Sequence, residues 1–194
     1  MSKSRDQLIE YLSEIDITGK TVLDVGSGPK DKWAINFVKG KPKEYLTADF
    51  DEEFEVDAHF DLNKPIDKDW YGGLAKKGRY NFDIVFCLET LEHLWNPVQA
   101  IENLSKLTKY SLYLSTPFIN PIHDKWDYLR YTFQWYEKVL PMYSFKRVNV
   151  KSRQGGESLH SFYKDEGMRM SKVTLQQGYG DHYEDIGYFV EAHK

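Results

Sequence analysis

The chain has 194 residues, 41% of them hydrophobic and 29% charged, which is the composition of an ordinary globular protein and enough length for one well-cored domain, spanning 1–194, rather than two. Its formal net charge of -4 argues against a dedicated nucleic-acid footprint, and Cys87, the single cysteine, excludes an intramolecular disulfide and a multi-cysteine zinc site. A reduced, cytoplasmic setting is expected: Met1 to Asp6 lacks the apolar core of a signal peptide, and no uninterrupted apolar run approaches the roughly 20 residues of a membrane helix.

Leu8, Ile9, Leu12 and Ile15 recur at helical spacing and predict a helix from Arg5 to Ile15, within an N-terminal helical segment of residues 1–17. Thr21 to Val25 reads as a buried strand. Trp33, Ile35, Phe37 and Val38 predict a helix stopped near Gly40 and Pro42. Glu44 to Ala48 reads as a second strand ending at Asp49, Glu55 to His59 as a third, and Phe82 to Leu88 as a fourth. Asn96 and Pro97 have the character of an N-cap and first helical residue, with Ile101, Leu104 and Leu107 on one face. A strand over Leu112 to Ser115 is closed by Pro117, and a helix over Tyr128 to Leu140 by Pro141. Phe145 to Val150 and Gly187 to Ala192 are β-like with no clear helix between them, which suits an antiparallel pair at a sheet edge. Residues 152–184 read as a flap or an edge hairpin. Strands alternating with helices imply an α/β, Rossmann-like three-layer sandwich.

Chemistry concentrates at Thr21-Val22-Leu23-Asp24-Val25-Gly26-Ser27-Gly28-Pro29, an apolar strand that ends in an acid and opens into a tight glycine turn. Such a turn at the carboxyl end of a parallel strand is a ligand crevice, and glycine lets the backbone approach the ligand. A dinucleotide site would carry a third glycine where this chain has Asp31, a carboxylate that a pyrophosphate would repel. Asp49 does stand at the distance a dinucleotide ribose acid would, but acids at Asp24 and Asp31 favour a cofactor without phosphates, and S-adenosyl-L-methionine, with its ammonium, sulfonium and ribose diol, fits.

Asp24-Val25-Gly26-Ser27-Gly28 resembles motif I of the class I S-adenosylmethionine-dependent methyltransferases, and Asp49 resembles the family's acid that binds both ribose hydroxyls. Asp61-Leu62-Asn63 is similar to the segment whose acid reaches the adenine amino group. Phe82 to Leu94, ending in Leu91-Glu92-His93-Leu94, is similar to the strand-four motif of the small-molecule, type 11-like branch, and Ser115-Thr116-Pro117 to the family's end of strand five. The likeness runs from about Thr18 to Phe145 and departs from the family at Pro29-Lys30-Asp31. It implies a mostly parallel seven-stranded sheet with an antiparallel last strand. It also implies a crevice lined by Asp24, Gly26, Ser27, Gly28, Asp49, Phe50, Asp61, Leu62, Cys87, Leu88, Glu89 and His93, with S-adenosyl-L-homocysteine as product. Cys87 also reads as a small apolar strand residue, and Glu89 and Glu92 as acids that favour a helix N-terminus.

The run from His123 to Thr132 resembles a segment of methyltransferases of sugar and surface-glycan biosynthesis. It nominates His123, Trp126, Tyr128, Arg130 and Tyr131 as acceptor contacts and His123, then His93, as general base, since an imidazole titrates near neutral pH. No metal set stands out. The expected activity is methyl transfer to O or N of a small-molecule or glycan-intermediate acceptor, with a homo-oligomer possible. A cofactor-binding regulatory or assembly subunit is the alternative reading; an RNA or protein methyltransferase and a nicotinamide oxidoreductase fit less well.

Overall fold

The computed structural model describes residues 3–66, 74, 81–118, 125–154 and 185–194. Strands β1 (Thr21–Val25), β2 (Glu44–Asp49), β3 (Ala58–His59), β4 (Phe82–Leu88), β5 (Thr108–Pro117), β6 (Arg147–Gln154) and β7 (Asp185–His193) form one sheet in the order β3-β2-β1-β4-β5-β7-β6. The first five are mutually parallel, and β7 runs antiparallel between β5 and β6. This is the Rossmann-like sheet with an antiparallel last strand that the sequence implies. No helix among the described residues is long and apolar enough to cross a membrane.

The layers follow from the two-residue period of the strands. Val22, Ile84, Phe86 and Phe189 face helix α1 (Lys3–Ser13) and bury Leu8 and Leu12 against one side of the sheet. Leu23, Val25, Val85 and Cys87 face the other side, covered by α2 (Pro97–Leu107) and α3 (Phe133–Met142) through Ile101, Leu104, Tyr136 and Leu140. α1 is also tied to the far edge, where the Tyr11 hydroxyl donates to the Ser152 carbonyl at 2.9 Å and its ring stacks on Phe189.

Two expected helices change, each because a side chain or carbonyl captures the amides that the helix would use. Between Gly28 and Gly40 the chain makes only short 3-10 turns at Lys30–Lys32 and Ala34–Asn36 instead of a helix. Asp24 Oδ2 accepts the Ala34 amide, extended backbone at Trp33 (ψ 139°) separates the turns, and Lys39 must return to pair with Ile15 and Ile17. The helix expected from Tyr128 begins at Phe133, because the amides of Tyr128 and Leu129 both donate to the Glu92 carbonyl, at 2.8 and 3.2 Å. Pro141 lies inside the last turn of α3 rather than beyond it. The third strand shortens to Ala58–His59 because the Asp57 carboxylate takes the Thr47 amide. Asn96 is the N-cap of α2 and Pro97 its first residue, as expected, but the cap is made by the Asn96 carbonyl, which accepts the Ala100 amide, while its side-chain amide donates to the Asn63 carbonyl. Most of the expected flap, residues 155–184, lies outside the described residues.

At the amino ends of the strands Asp83 pins register: one carboxylate oxygen accepts the Thr21 amide (2.9 Å) and hydroxyl (3.0 Å), and the other faces Lys109. Replacing Asp83 with Ala orphans the Thr21 groups, so a loss of about 1–3 kcal/mol is expected in urea unfolding.

Candidate functional site

A cavity of about 940 Å³ opens at the carboxyl ends of β1, β2 and β4, with α1 along one wall through Arg5, Leu8, Ile9 and Leu12. The glycine turn forms its floor. Gly26 has φ +69° and packs so tightly that a Cβ would lie 2.2 Å from the Thr90 hydroxyl oxygen, so both conformation and space require glycine. Gly28 (φ +57°) turns its amide onto Asp49 Oδ2 at 2.9 Å, while Asp49 Oδ1 accepts the Asp51 amide.

Asp24 is buried beneath this turn, only 3% exposed, and its Oδ2 accepts both the Tyr45 hydroxyl (2.6 Å) and the Ala34 amide (2.8 Å). Burial pushes its carboxyl up to about 6; those two hydrogen bonds oppose the shift, and the nearby Asp49 charge adds to it. Asp24 therefore acts first as the anchor of its own loop. Ser27 Oγ, by contrast, is buried on the cavity wall with no hydrogen-bond partner among the described residues. Across the floor, Asp61 holds a tight turn by accepting both the backbone and side-chain amides of Asn63. Asn103 of α2 clamps the same turn through the carbonyls of Leu62 and Lys64.

The opposite wall is built by the ends of β4, β5 and β6. Glu89 follows β4 with φ +48°, its amide donating to the Ser115 carbonyl, and its carboxylate pairs with Arg153 at 2.8 Å. His93 lines the cavity, with its Nε2 3.8 Å from Glu92 Oε1. Glu92 itself is fully buried, and neither carboxylate oxygen has a hydrogen-bond partner among the described residues. Burial, reinforced by the charge of Glu89, pushes the Glu92 carboxyl up to about 8. Phe50, Trp95, Trp126 and Tyr128 are exposed aromatics at the cavity rim.

The cavity thus brings together Asp24, Gly26, Ser27, Gly28, Asp49, Phe50, Asp61, Leu62, Leu88, Glu89, His93, Trp126 and Tyr128. Three expected contacts lie elsewhere. Cys87 points into the core and burial raises its thiol well above the usual range. Tyr131 is buried, its hydroxyl donating to the Leu91 carbonyl at 2.8 Å. Arg130 is engaged by both oxygens of Asp127 and is absent from the wall. His123 lies outside the described residues. Arg153 and Arg5 line the cavity without having been anticipated. Their positions depend on which strand and helix ends converge, and no local pattern announces that.

A profile of the methyltransferase domain family matches residues 2–149, and the chain belongs to that family as a class I S-adenosylmethionine-dependent methyltransferase. No curated protein sequence matches it significantly. Among solved structures, an S-adenosylmethionine-dependent methyltransferase from Mesorhizobium loti superposes with a TM-score of 0.57 at 12% identity, over 98% of each chain. The [4+2]-cyclase SpnF gives 0.60 at 15%, over 97% of this chain and 80% of its own. Phosphoethanolamine N-methyltransferase 2 of Haemonchus contortus, solved with S-adenosylhomocysteine, gives 0.55 at 12%, over 98% of this chain and 52% of its own. At these identities the likeness is one of fold.

Glu92 sets a pH dependence. Its folded-state proton is retained up to about pH 8, whereas the unfolded carboxyl releases its proton near 4.5, so stability falls as pH rises between those values. Glu92→Gln removes the effect. Thermal melts should show the variant more stable than wild type at pH 9, by about 5 °C or more, with the gap closing towards pH 4.5.

Proposed function

We propose that the protein transfers the methyl group of S-adenosylmethionine to oxygen or nitrogen of a small-molecule or glycan-intermediate acceptor, as in the small-molecule branch of its family. The cavity's chemistry supports this reading. Asp49, at the tip of β2, suits a ribose diol, and the Asp61 turn with Leu62 suits an adenine edge. At Gly28 no atom lies within 4 Å of where a Cβ would stand, which leaves the turn's backbone open to a ligand, and Ser27 Oγ offers an unused hydrogen-bonding atom to the amino-acid end of the cofactor. That orphaned hydroxyl is the observation that carries the reading, because a buried polar atom in a native fold normally has a partner.

The bound cofactor supplies a methyl carbon already activated on a sulfonium: the acceptor's lone pair forms the new bond, the C–S bond breaks, and its electron pair remains on sulfur. What the chain contributes is placement and exclusion of water, and alignment alone can remove about 7–11 kcal/mol from such a barrier. Lys32 and Arg5 are the cations facing the cofactor half, and α1 closes its side with apolar residues. Where the acceptor must lose a proton, His93 lines the cavity at the acceptor wall and is the base within the described residues; His123 keeps its place as a candidate on its sequence context.

Calorimetry with S-adenosylmethionine, S-adenosylhomocysteine and NADH checks this reading. Micromolar binding of the two sulfur cofactors is expected, with no response to NADH, and a loss of about a hundredfold in Asp49→Ala. Binding of NADH alone would overturn it.

A further inference from the structure

Gly187 sits in β7 between two cross-strand neighbours, Pro117 of β5 and Arg153 of β6. Its φ is not in the left-handed region, yet a Cβ there would lie 2.5 Å from Arg153 Nη2 and 2.9 Å from Cζ. The missing side chain is therefore a slot that the guanidinium fills. Through this slot Arg153 crosses β7, donates from Nη2 to the Thr116 carbonyl at 2.8 Å, and reaches Glu89 Oε1 at 2.8 Å. Glu89 meets it from a left-handed backbone (φ +48°), which a residue with a long side chain adopts only at a cost. A glycine, a buried arginine and a strained turn converge on the position of one carboxylate.

The polarity of the pair is decided by exposure. The Arg153 side chain is 4% exposed and that of Glu89 42%, so the arginine stands behind and the carboxylate faces the cavity. Arg153 holds Oε1; Oε2 makes no hydrogen bond among the described residues. Of the acids beside it, Asp127 is matched by Arg130 and Glu92 is sealed in the core, while Asp24, Asp49, Asp51 and Asp61 line the cavity on the side of β1, β2 and β3. A carboxylate or phosphate on the acceptor would meet Glu89 unfavourably, whereas an amine would be held by it. The rim adds the faces of Phe50, Trp95, Trp126 and Tyr128. The ammonium of Lys125 lies 3.9 Å from the Trp126 ring centroid, so this ring takes a cation against its face.

We propose that Glu89 is the acceptor-recognition residue, that Arg153 in the Gly187 slot positions it, and that the acceptor is a small arylalkylamine whose ammonium docks at Glu89 and whose ring packs on the aromatic rim; the ammonium passes one proton to His93 on the cavity wall, and the lone pair so freed forms the bond to the methyl carbon as the C–S bond breaks. This assignment rests on the methyltransferase reading and narrows it from oxygen or nitrogen to nitrogen.

The test is binding to protein saturated with S-adenosylhomocysteine, read by saturation-transfer NMR and calorimetry. The probes are tyramine and tryptamine, their alcohol counterparts tyrosol and tryptophol, indole-3-acetate, and Nα-acetyl-lysine amide. The two amines are expected to bind about tenfold or more tightly than their alcohols, and the acid not at all. Glu89→Gln, close to isosteric, should abolish that preference while S-adenosylhomocysteine affinity stays within about threefold. Arg153→Lys should weaken the amines and leave the alcohols unchanged, the signature of a positioning role. Alcohols binding as tightly as amines, neither amine binding, or Glu89→Gln leaving amine affinity intact would overturn the proposal. So would an equal loss of cofactor affinity in that variant, which assigns Glu89 to the cofactor, or tighter binding of the lysine amide, which points to a protein-borne amine. Failure of S-adenosylhomocysteine to bind wild type would instead remove the methyltransferase reading itself.

Discussion

At the tip of the central strand, Asp24 is taken out of water and met by two neutral donors, the Tyr45 hydroxyl from β2 and the Ala34 amide from the turn beyond Gly28. Burying a carboxylate in this way costs several kcal/mol unless its hydrogen bonds are made, which ties the position of three separate stretches of chain to one side chain. With Ala34 drawn back onto Asp24, the glycine turn cannot swing out, and the Gly28 amide is left where Asp49 accepts it. The carboxylates of the cavity floor are thus fixed by local donors, Asp24 by Tyr45 and Ala34, Asp49 by the amides of Gly28 and Asp51, and Asp61 by Asn63. The same arrangement explains why no regular helix follows the turn, since the residues that would form its first turn are occupied.

The two halves of the cavity are built by different means. The side at β1, β2 and β3 uses hydrogen-bonded turns: Asp49 to Asp51, Asp61 to Asn63, and Asn103 reaching across from α2 to the carbonyls of Leu62 and Lys64. These are short, local and rigid. The side at β4, β5 and β6 uses long side chains that cross strands, with Arg153 spanning β7 and Tyr131 and Tyr136 closing the space beneath by donating to Leu91 or meeting Thr116. A wall of that kind can change its shape by single substitutions without disturbing the sheet, which suits a fold that hosts many acceptors.

Most of the sheet was legible in the sequence because its strands are short apolar runs closed by glycine, proline or acid; Thr21 to Val25 and Phe82 to Leu88 appear where their residues place them. The cavity lining after β1, β2 and β4 was legible for the same reason, since its residues sit immediately after those strands. The misreadings share a cause. Trp33 to Val38 and Tyr128 to Tyr131 carry helix-like spacing, but their backbone amides answer to Asp24 and to the Glu92 carbonyl, partners far away in the chain. Arg130 looked like a ligand anchor until Asp127, three residues earlier, was seen to hold it. Arg153 was invisible because its significance comes from Gly187, 34 positions later, and no local pattern links an arginine to the gap left by a glycine on the next strand.

The pairing of β6 with β7 continues to Gln154 and Asp185, so the chain leaves and re-enters the sheet at neighbouring points about 5 Å apart. Closing a loop of any size between such clamped ends changes the free energy only logarithmically with its length. The ends of any chain that joins them are therefore fixed by the sheet itself, next to Arg153 and Ile186 on the cavity wall. The sheet edge thus sets where the chain is anchored beside the cavity, whatever length lies between the two anchors.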